Sequence, residues 1–111
     1  SVEGATVDLI SQLEMAGPFG AGNPEPRFVI SNARIVSASI VGENHVRCIL
    51  TGSGNRGRLA GICFRSLETP LGDALISHQG ASFHIAGHLR KNTWKGNTTP
   101  QILIEDAIRL S

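Results

Sequence analysis

The residues best suited to bind a ligand form one short polar stretch, residues 90–95 (RKNTWK). Three cations, Arg90, Lys91 and Lys95, surround Trp94, which is the only tryptophan of the chain. Single-stranded nucleic acid favours this combination, because cations attract phosphates and a flat indole ring stacks on a base. A structural interpretation is equally open at this point, in which Trp94 packs back onto the protein and the cations are solvated.

Weaker candidates for phosphate contact lie earlier in the chain. Some fall in segments with strand character, and others lie in or beside a glycine-rich turn at residues 52–57. They are Arg34, His45, Arg47, Arg56 and Arg58. If strands bring these side chains beside residues 90–95, they extend one basic groove.

The acidic and histidine residues of the sequence do not predict catalysis or metal binding. The aspartates, Asp8, Asp73 and Asp106, are scattered, and no pair has a spacing that a metal site demands. His84 and His88 share one face of a predicted strand but lie about 13 Å apart at about 3.3 Å per residue, too far to hold one ion. No phosphate-binding loop is visible either. We therefore predict no catalytic residue, no metal ligand and no cofactor in this chain.

The net charge of +1 conceals an uneven distribution of charge. Residues 1–26 carry four acids and no base, whereas residues 27–111 carry ten bases and five acids. The second part therefore suits an anionic partner, although a charge of this size is also ordinary for a domain surface. Charge alone does not decide between these interpretations.

Length and composition are typical of one small globular domain, with 111 residues, 41% hydrophobic and 17% charged. We find no membrane-spanning run and no signal-peptide pattern, and we predict a cytoplasmic location. Cys48 and Cys63 lie in apolar segments, so buried free thiols are expected. The two would face each other, close enough for a disulfide, if the intervening turn centred between Asn55 and Arg56.

Periodicity divides the chain into a helix, a stiff connector and a strand-rich part. Residues 2–16 place apolar side chains at helical spacing, and Gly17 and Pro18 end that helix. The helix either packs on the strands or ends a preceding domain. The connector at residues 18–27 holds three prolines and two glycines, with Phe19 as its expected anchor in a core.

Five strands are predicted after the connector, with a turn at residues 92–97. They cover residues 28–40, 45–51, 58–65, 81–91 and 101–110. A short helix begins after Thr69, with Pro70 at its first position. In the third strand we expect the inward side chains to be Ala60, Ile62 and Phe64. This order predicts a mainly β fold, a five-stranded OB-fold-like barrel, and a two-layer α+β sandwich is the alternative.

Three segments together resemble one family, the RecJ-type single-stranded-DNA-specific exonucleases. Residues 18–28 (PFGAGNPEPRF) are similar to its PFGxGNPEPxF stretch, which is long and specific. Residues 42–47 (GENHVR) are similar to its G-x-x-H-hydrophobic-basic strand start. Residues 92–96 (NTWKG) and 100–106 (PQILIED) look like its final motif, N-x-aromatic-x-G followed by Q-hydrophobic-x-hydrophobic-x-D. Ala21 and Val46 depart mildly from the family pattern, which often has proline and leucine there.

The resemblance implies an OB-type domain that follows the catalytic domains of a DHH-superfamily phosphodiesterase. The intact enzyme would degrade single-stranded DNA from a 5′ end, in repair and recombination. Its divalent metal, Mn or Mg, would be held by the absent catalytic domains. Residues 1–17 would then be the tail of a preceding domain, residues 18–27 a connector and residues 28–111 the OB-fold-like domain.

We therefore predict a non-catalytic module that binds single-stranded DNA with little sequence preference. The leading contacts are Arg90, Lys91, Trp94 and Lys95. The expected partners are single-stranded DNA, the catalytic domains of the same polypeptide and a single-strand-binding protein. The alternative function is an adaptor that packs on the nuclease core, or recruits a partner protein, and has little affinity for DNA.

Overall fold

The computed structural model describes residues 1–15 and 25–110. In chain order the elements are α1 (Val7–Met15), β1 (Phe28–Val41), β2 (His45–Thr51), a short 3-10 turn (Ser53–Asn55), β3 (Leu59–Cys63), α2 (Pro70–Ile76), β4 (Ser82–Trp94) and β5 (Asn97–Arg109). Most of the predicted connector, including Phe19, lies outside the described residues. The division into tail, connector and domain stays a prediction.

The five strands close into a barrel in the order β1-β2-β3-β5-β4, which confirms the predicted OB-type fold. All neighbours are antiparallel except β3 and β5, which run parallel. The long β1 serves two neighbours, because its first half pairs with β4 and its second half with β2. Irregular register between Ile30 and Ala33 and between Ile35 and Ser37 bends β1 between those two partners.

The barrel interior is filled by alternate residues of the strands. Val46, Cys48 and Leu50 of β2 point inward and are fully buried, as their spacing predicts. In β3 the inward residues are Leu59, Gly61 and Cys63, so the predicted inward face of β3 is wrong, although Ile62 on the outer face is also buried, at 7% exposed. Phe64, expected inside, lies outside the strand and is 57% exposed.

The register of β2 and β3 also determines where the two thiols lie. Cys48 stands opposite Gly61, and Cys63 stands opposite Val46, so the cysteines do not pair directly across the ladder. Both are free and buried, in agreement with the expected thiols. The condition for a facing pair, a turn centred between Asn55 and Arg56, is therefore not met.

Two helices pack on the barrel, α1 from before β1 and α2 from between β3 and β4. In α2, Thr69 is the N-cap: its side-chain oxygen accepts from the Gly72 amide at 3.1 Å, with Pro70 following as predicted, and Leu75 is fully buried. In α1 the helix begins later than predicted, because Thr6 caps it by accepting from the Leu9 amide at 3.1 Å. Residues 2–6 are not helical, although Val2 is buried against the barrel.

Within residues 1–15 and 25–110, no helix is long and apolar enough to cross a membrane.

The β4–β5 connection is tighter than the predicted turn at residues 92–97. The turn consists of Lys95 and Gly96, with φ of +49° and +80°, and the strands continue on both sides of it. Two positive φ values suit the right-handed twist of the flanking strands. Thr93 and Thr98 add a cross-strand hydroxyl contact of 3.0 Å. β4 and β5 therefore pair all the way to Trp94 and Asn97.

Replacement of Gly87 should destabilise the barrel. A Cβ there would lie 1.9 Å from the Leu103 carbonyl oxygen, so Gly87→Ala must push β4 and β5 apart. We expect a loss of about 1–3 kcal/mol in the free energy of unfolding. Gly96→Ala is the control, since nothing lies within 4 Å of its Cβ and only the positive φ opposes it. Urea unfolding would contradict this packing if both variants were equally stable.

Stability should fall at alkaline pH because of the buried thiols. Burial, together with the neighbouring Cys63, raises the pKa of Cys48 from 9.0 to about 12, against an opposing effect of Arg47. Burial also raises the pKa of Cys63, partly offset by a hydrogen bond with Ser66. The folded chain then keeps protons that the unfolded chain loses, so stability present below pH 9.0 is lost towards pH 12. Unfolding measured over this range should show a flatter pH dependence in Cys48→Ala, and an unchanged slope would contradict the assignment.

Candidate nucleic-acid interface

Trp94 stands at the end of the β4–β5 ribbon, which projects past the strands that close the barrel. Its side chain is 71% exposed, and the Lys95 ammonium lies 5.7 Å from the ring centroid. This cation–π contact holds the charge beside the indole. Of the two interpretations that the sequence left open, packing of Trp94 into the barrel end is excluded. An exposed indole and its cation are thus available together on the ribbon (residues 92–99).

Arg90 and Lys91, in contrast, contact acids of the N-terminal part of the chain. Arg90 Nη2 donates to Glu25 Oε2 at 2.8 Å, and its Nη1 contacts the other carboxylate oxygen. Lys91 Nζ lies 3.4 Å from Glu14 Oε1, on α1. These two cations therefore attach α1 and residue 25 to β4. They are only partly available to a phosphate.

A second set of contacts joins residues 25–27 to the same strands. Both ring nitrogens of His88 face oxygens: Nδ1 is 2.9 Å from the Pro26 carbonyl, and Nε2 is 3.1 Å from Glu105 Oε1. Glu105 also receives Arg27 Nε at 3.2 Å. The segment that enters β1 is therefore bound to β4 and β5 through polar contacts on the outer surface.

The outward residues of β2, β3, β5 and β4 form one continuous surface, which we call the four-strand wall. Its register gives two rows across the strands: Arg47, Ile62, Leu103 and His88, and Ile49, Ala60, Gln101 and Arg90. Strands lie about 4.8 Å apart, so the backbones of Arg47 and His88 are about 14 Å apart. The fold thus brings Arg47 and His45 of β2 onto the same wall as Arg90. Trp94 extends this wall, because it follows Arg90 at even spacing along β4.

The remaining predicted residues gather around the β2–β3 loop. Arg34 Nη1 donates to Asn55 Oδ1 at 3.1 Å. Arg58 Nη1 donates to Thr51 Oγ1 at 2.7 Å and to the Gly57 carbonyl at 2.9 Å, so Arg58 supports the loop itself. Arg56 is exposed on the same loop. These three cations therefore lie at or beside the β2–β3 loop, where Arg34 joins the loop to β1 and Arg58 joins it to β2.

Sequence reasoning missed two residues at the end of β3. Phe64 was assigned to the core, and Arg65 was not considered. Both are exposed, and the Phe64 ring makes a T-shaped contact with His45, with centroids 5.2 Å apart and planes at 82°. The signal that could have found Phe64 is Gly61, because only a residue without a side chain fits at that crowded interior position. With Gly61 inward, alternation directs Ala60, Ile62 and Phe64 outward.

No group of three or more His, Cys, Asp or Glu side chains within residues 1–15 and 25–110 could hold a metal ion. The surface described above carries exposed aromatic rings and cations.

Comparison with known proteins shows the family of this chain. The family described as the RecJ OB domain matches residues 1–106. This chain belongs to the RecJ OB domain family. The chain is 29% identical over 106 residues to the single-stranded-DNA-specific exonuclease RecJ of Bacillus subtilis and 31% identical over 102 residues to the protein of that name from Escherichia coli. These matches cover 96% and 91% of the chain.

The RecJ OB domain is only a small part of those relatives. The matched region spans 13% of the Bacillus subtilis protein and 17% of the Escherichia coli protein. The match to the family begins at residue 1, so it includes α1 as well as the barrel. The ion pairs between α1, residue 25 and β4 thus lie inside the matched region.

The ion pair between Arg90 and Glu25 should stabilise this RecJ OB domain measurably. Its side chains are 40% and 27% exposed, so a double-mutant cycle with Arg90→Ala and Glu25→Ala should give a coupling of about 0.5–1 kcal/mol. Lys91 and Glu14 are the matched pair, and their longer contact should couple by about 0.3 kcal/mol or less. Urea unfolding in low salt and in about 1 M salt is the measurement, and salt should weaken both couplings. Equal couplings for the two pairs would contradict the anchoring role of Arg90.

Proposed function

We propose that this chain is the single-stranded-DNA-binding OB domain of a RecJ-like exonuclease and is itself non-catalytic. The observation that carries the proposal is the exposed Trp94 with Lys95 beside it on a projecting ribbon. A base stacks on the free face of the indole, and the ammonium attracts the neighbouring phosphate. Neither contact depends on the identity of the base, so binding is tolerant of sequence.

Available cations on the same side of the barrel support the proposal. Arg47, Arg65 and Lys95 have no acidic partner within residues 1–15 and 25–110. Arg90 and Lys91 contribute less to phosphate binding than their sequence position predicts, because Glu25 and Glu14 already neutralise them. DNA therefore follows the four-strand wall between Arg47 and the ribbon.

The activity of the whole protein is part of the same proposal. Relatives of this domain carry the name single-stranded-DNA-specific exonuclease RecJ, and this domain is a small fraction of them. In the intact enzyme, separate catalytic domains with divalent Mn or Mg would cleave from a 5′ end, in cytoplasmic DNA repair and recombination. The OB domain would hold the strand for them, and a single-strand-binding protein is a further expected partner.

Fluorescence of Trp94 tests DNA binding directly. Oligo-dT should quench its emission if the indole stacks on bases. With a labelled oligonucleotide, Trp94→Ala should weaken binding by about 1–3 kcal/mol, and Trp94→Phe should weaken it less because a ring remains. Ile108→Ala is the control, since Ile108 is 61% exposed but lies at the far end of β5.

The salt dependence of binding is a second test. Binding by about three free cations gives a slope near −2 in a plot of log affinity against log salt concentration, at about −0.7 per contact. Unchanged emission and a flat salt response would refute the proposal.

An adaptor function is the second candidate, and an apolar patch favours it. Val29 and Ile108 are 63% and 61% exposed, and they line a shallow pocket with Ala86 and Ala107. Exposed aliphatic groups of this kind often mark contact with another protein or domain. Unquenched Trp94 together with association that Ile108→Ala abolishes would favour the adaptor.

A further inference from the structure

Phe64 is an exposed aromatic ring that neither the barrel nor the ribbon explains. Among the described aromatic rings of tryptophan and phenylalanine, only Trp94 and Phe64 are exposed. The ring stands outward because Gly61 and Cys63 take the inward positions of β3. A phenyl group that is 57% exposed contributes little to the core, and its flat ring is available to a ligand.

The Phe64 ring is held in place by its neighbours. It meets the His45 ring edge to face, with centroids 5.2 Å apart. His45 is fixed in turn, because the Arg65 amide donates to its Nδ1 at 2.9 Å. A ring with restricted rotation loses little entropy when a base stacks on it. The Phe64 ring is therefore supported by the His45 ring while more than half of it stays exposed.

The backbone next to Phe64 is strained. Arg65 has φ of +52°, a left-handed conformation that costs a residue with a side chain about 1 kcal/mol or more. The hydrogen bond to His45 offsets that cost. Positive φ also occurs at other described non-glycine residues, so the strain at Arg65 does not by itself mark a binding site. The hydrogen bond to His45 holds the turn at Phe64 and Arg65 in this geometry.

Charge around the ring suits a phosphate backbone. Arg47 lies two residues from His45 on the same face of β2, and Arg65 adjoins the ring. Neither guanidinium has an acidic partner in the described ranges 1–15 and 25–110. Glu105, two residues beyond the Leu103 that pairs with Ile62, contacts Arg27 at 3.2 Å. The ring therefore has Arg65 next to it in the chain and Arg47 on the strand of its partner His45.

The separation from Trp94 shows that the two rings do not serve the same nucleotide. Ile62, the last residue of β3 that pairs with β5, lies level with Leu103, whereas Trp94 pairs with Asn97. Six residues of β5 at about 3.3 Å each separate these two levels by about 20 Å, and Phe64 follows Ile62 by two residues. A strand that reaches both rings must span several nucleotides, within the range of about 4–16 that OB folds bind.

We propose that Phe64, oriented by His45 and flanked by Arg47 and Arg65, is a second stacking subsite for an unpaired base. The inference rests on the proposed function, because Phe64 would contact the same DNA strand that Trp94 binds, farther along that strand. Trp94 holds one part of the strand at the ribbon, and Phe64 holds another part on the β2–β3 side of the four-strand wall.

The experiment titrates the 111-residue chain with oligo-dT of about 16 nucleotides and follows Trp94 emission, which reports on the ribbon alone. Phe64→Ala should raise the concentration for half-quenching about tenfold and still reach full quenching. Phe64→Tyr keeps the ring and should stay within about twofold of the wild type. Phe64→Leu keeps apolar volume without a flat ring and should behave like Phe64→Ala, which separates stacking from packing. With oligo-dT of about 4 nucleotides, too short to join both rings, quenching should be insensitive to Phe64.

Three outcomes are distinguishable. A tenfold shift in Phe64→Ala and Phe64→Leu, with retention in Phe64→Tyr, supports the second subsite. Unaltered half-quenching in Phe64→Ala overturns it and leaves DNA binding at Trp94 intact. No quenching of the wild-type chain overturns both. Crosslinking of bromouracil-substituted oligonucleotide to the unmodified chain is an independent measurement, and it should recover a peptide that contains Phe64.

Discussion

The barrel closes because β5 approaches its two neighbours at positions that carry no side chain. A Cβ at Gly87 would lie 1.9 Å from the Leu103 carbonyl, and one at Gly61 would lie 2.8 Å from Ile104 Cδ1. β5 therefore lies between β3 and β4. Its backbone is close to Gly87 of β4, and its isoleucine side chains are close to Gly61 of β3. The four-strand wall, its register and the exposed ribbon all depend on this closure. A side chain at either glycine would widen the sheet where its outer surface is continuous.

Some cations of the outer surface form ion pairs with acids of the N-terminal segment, and others are available to a ligand. Acids of the first 26 residues lie against β4, where Glu25 and Glu14 contact Arg90 and Lys91. The same side of the barrel holds Arg27 and His88 around Glu105. These contacts unite α1 and the start of β1 with the barrel. Arg47, Arg65 and Lys95, which have no acidic partner within residues 1–15 and 25–110, lie on the β2–β3 side and at the end of the ribbon, which is why DNA contacts are proposed there.

The aromatic residues follow from the same geometry. Trp94 is exposed because the β4–β5 ladder continues beyond the barrel to a two-residue turn, so no strand lies over the indole. Phe64 is exposed because β3 ends at Cys63 and Phe64 lies in the turn that follows. Both rings have a cation next to them in the sequence, Lys95 and Arg65, each with a positive φ. Tight turns thus present a ring and a charge together in two places on one wall.

The sequence by itself determined the class of fold, the inward face of β2, the Thr69 cap and the family, because each rests on a local pattern or a contiguous motif. It placed Trp94 and Lys95 in one turn for the same reason. Only the tertiary structure decided the inward face of β3, since residues 59–64 are apolar on both faces and alternation has nothing to distinguish there. It alone decided that Arg90 contacts Glu25, 65 residues away, because no local pattern records which acid a closed barrel brings to which base.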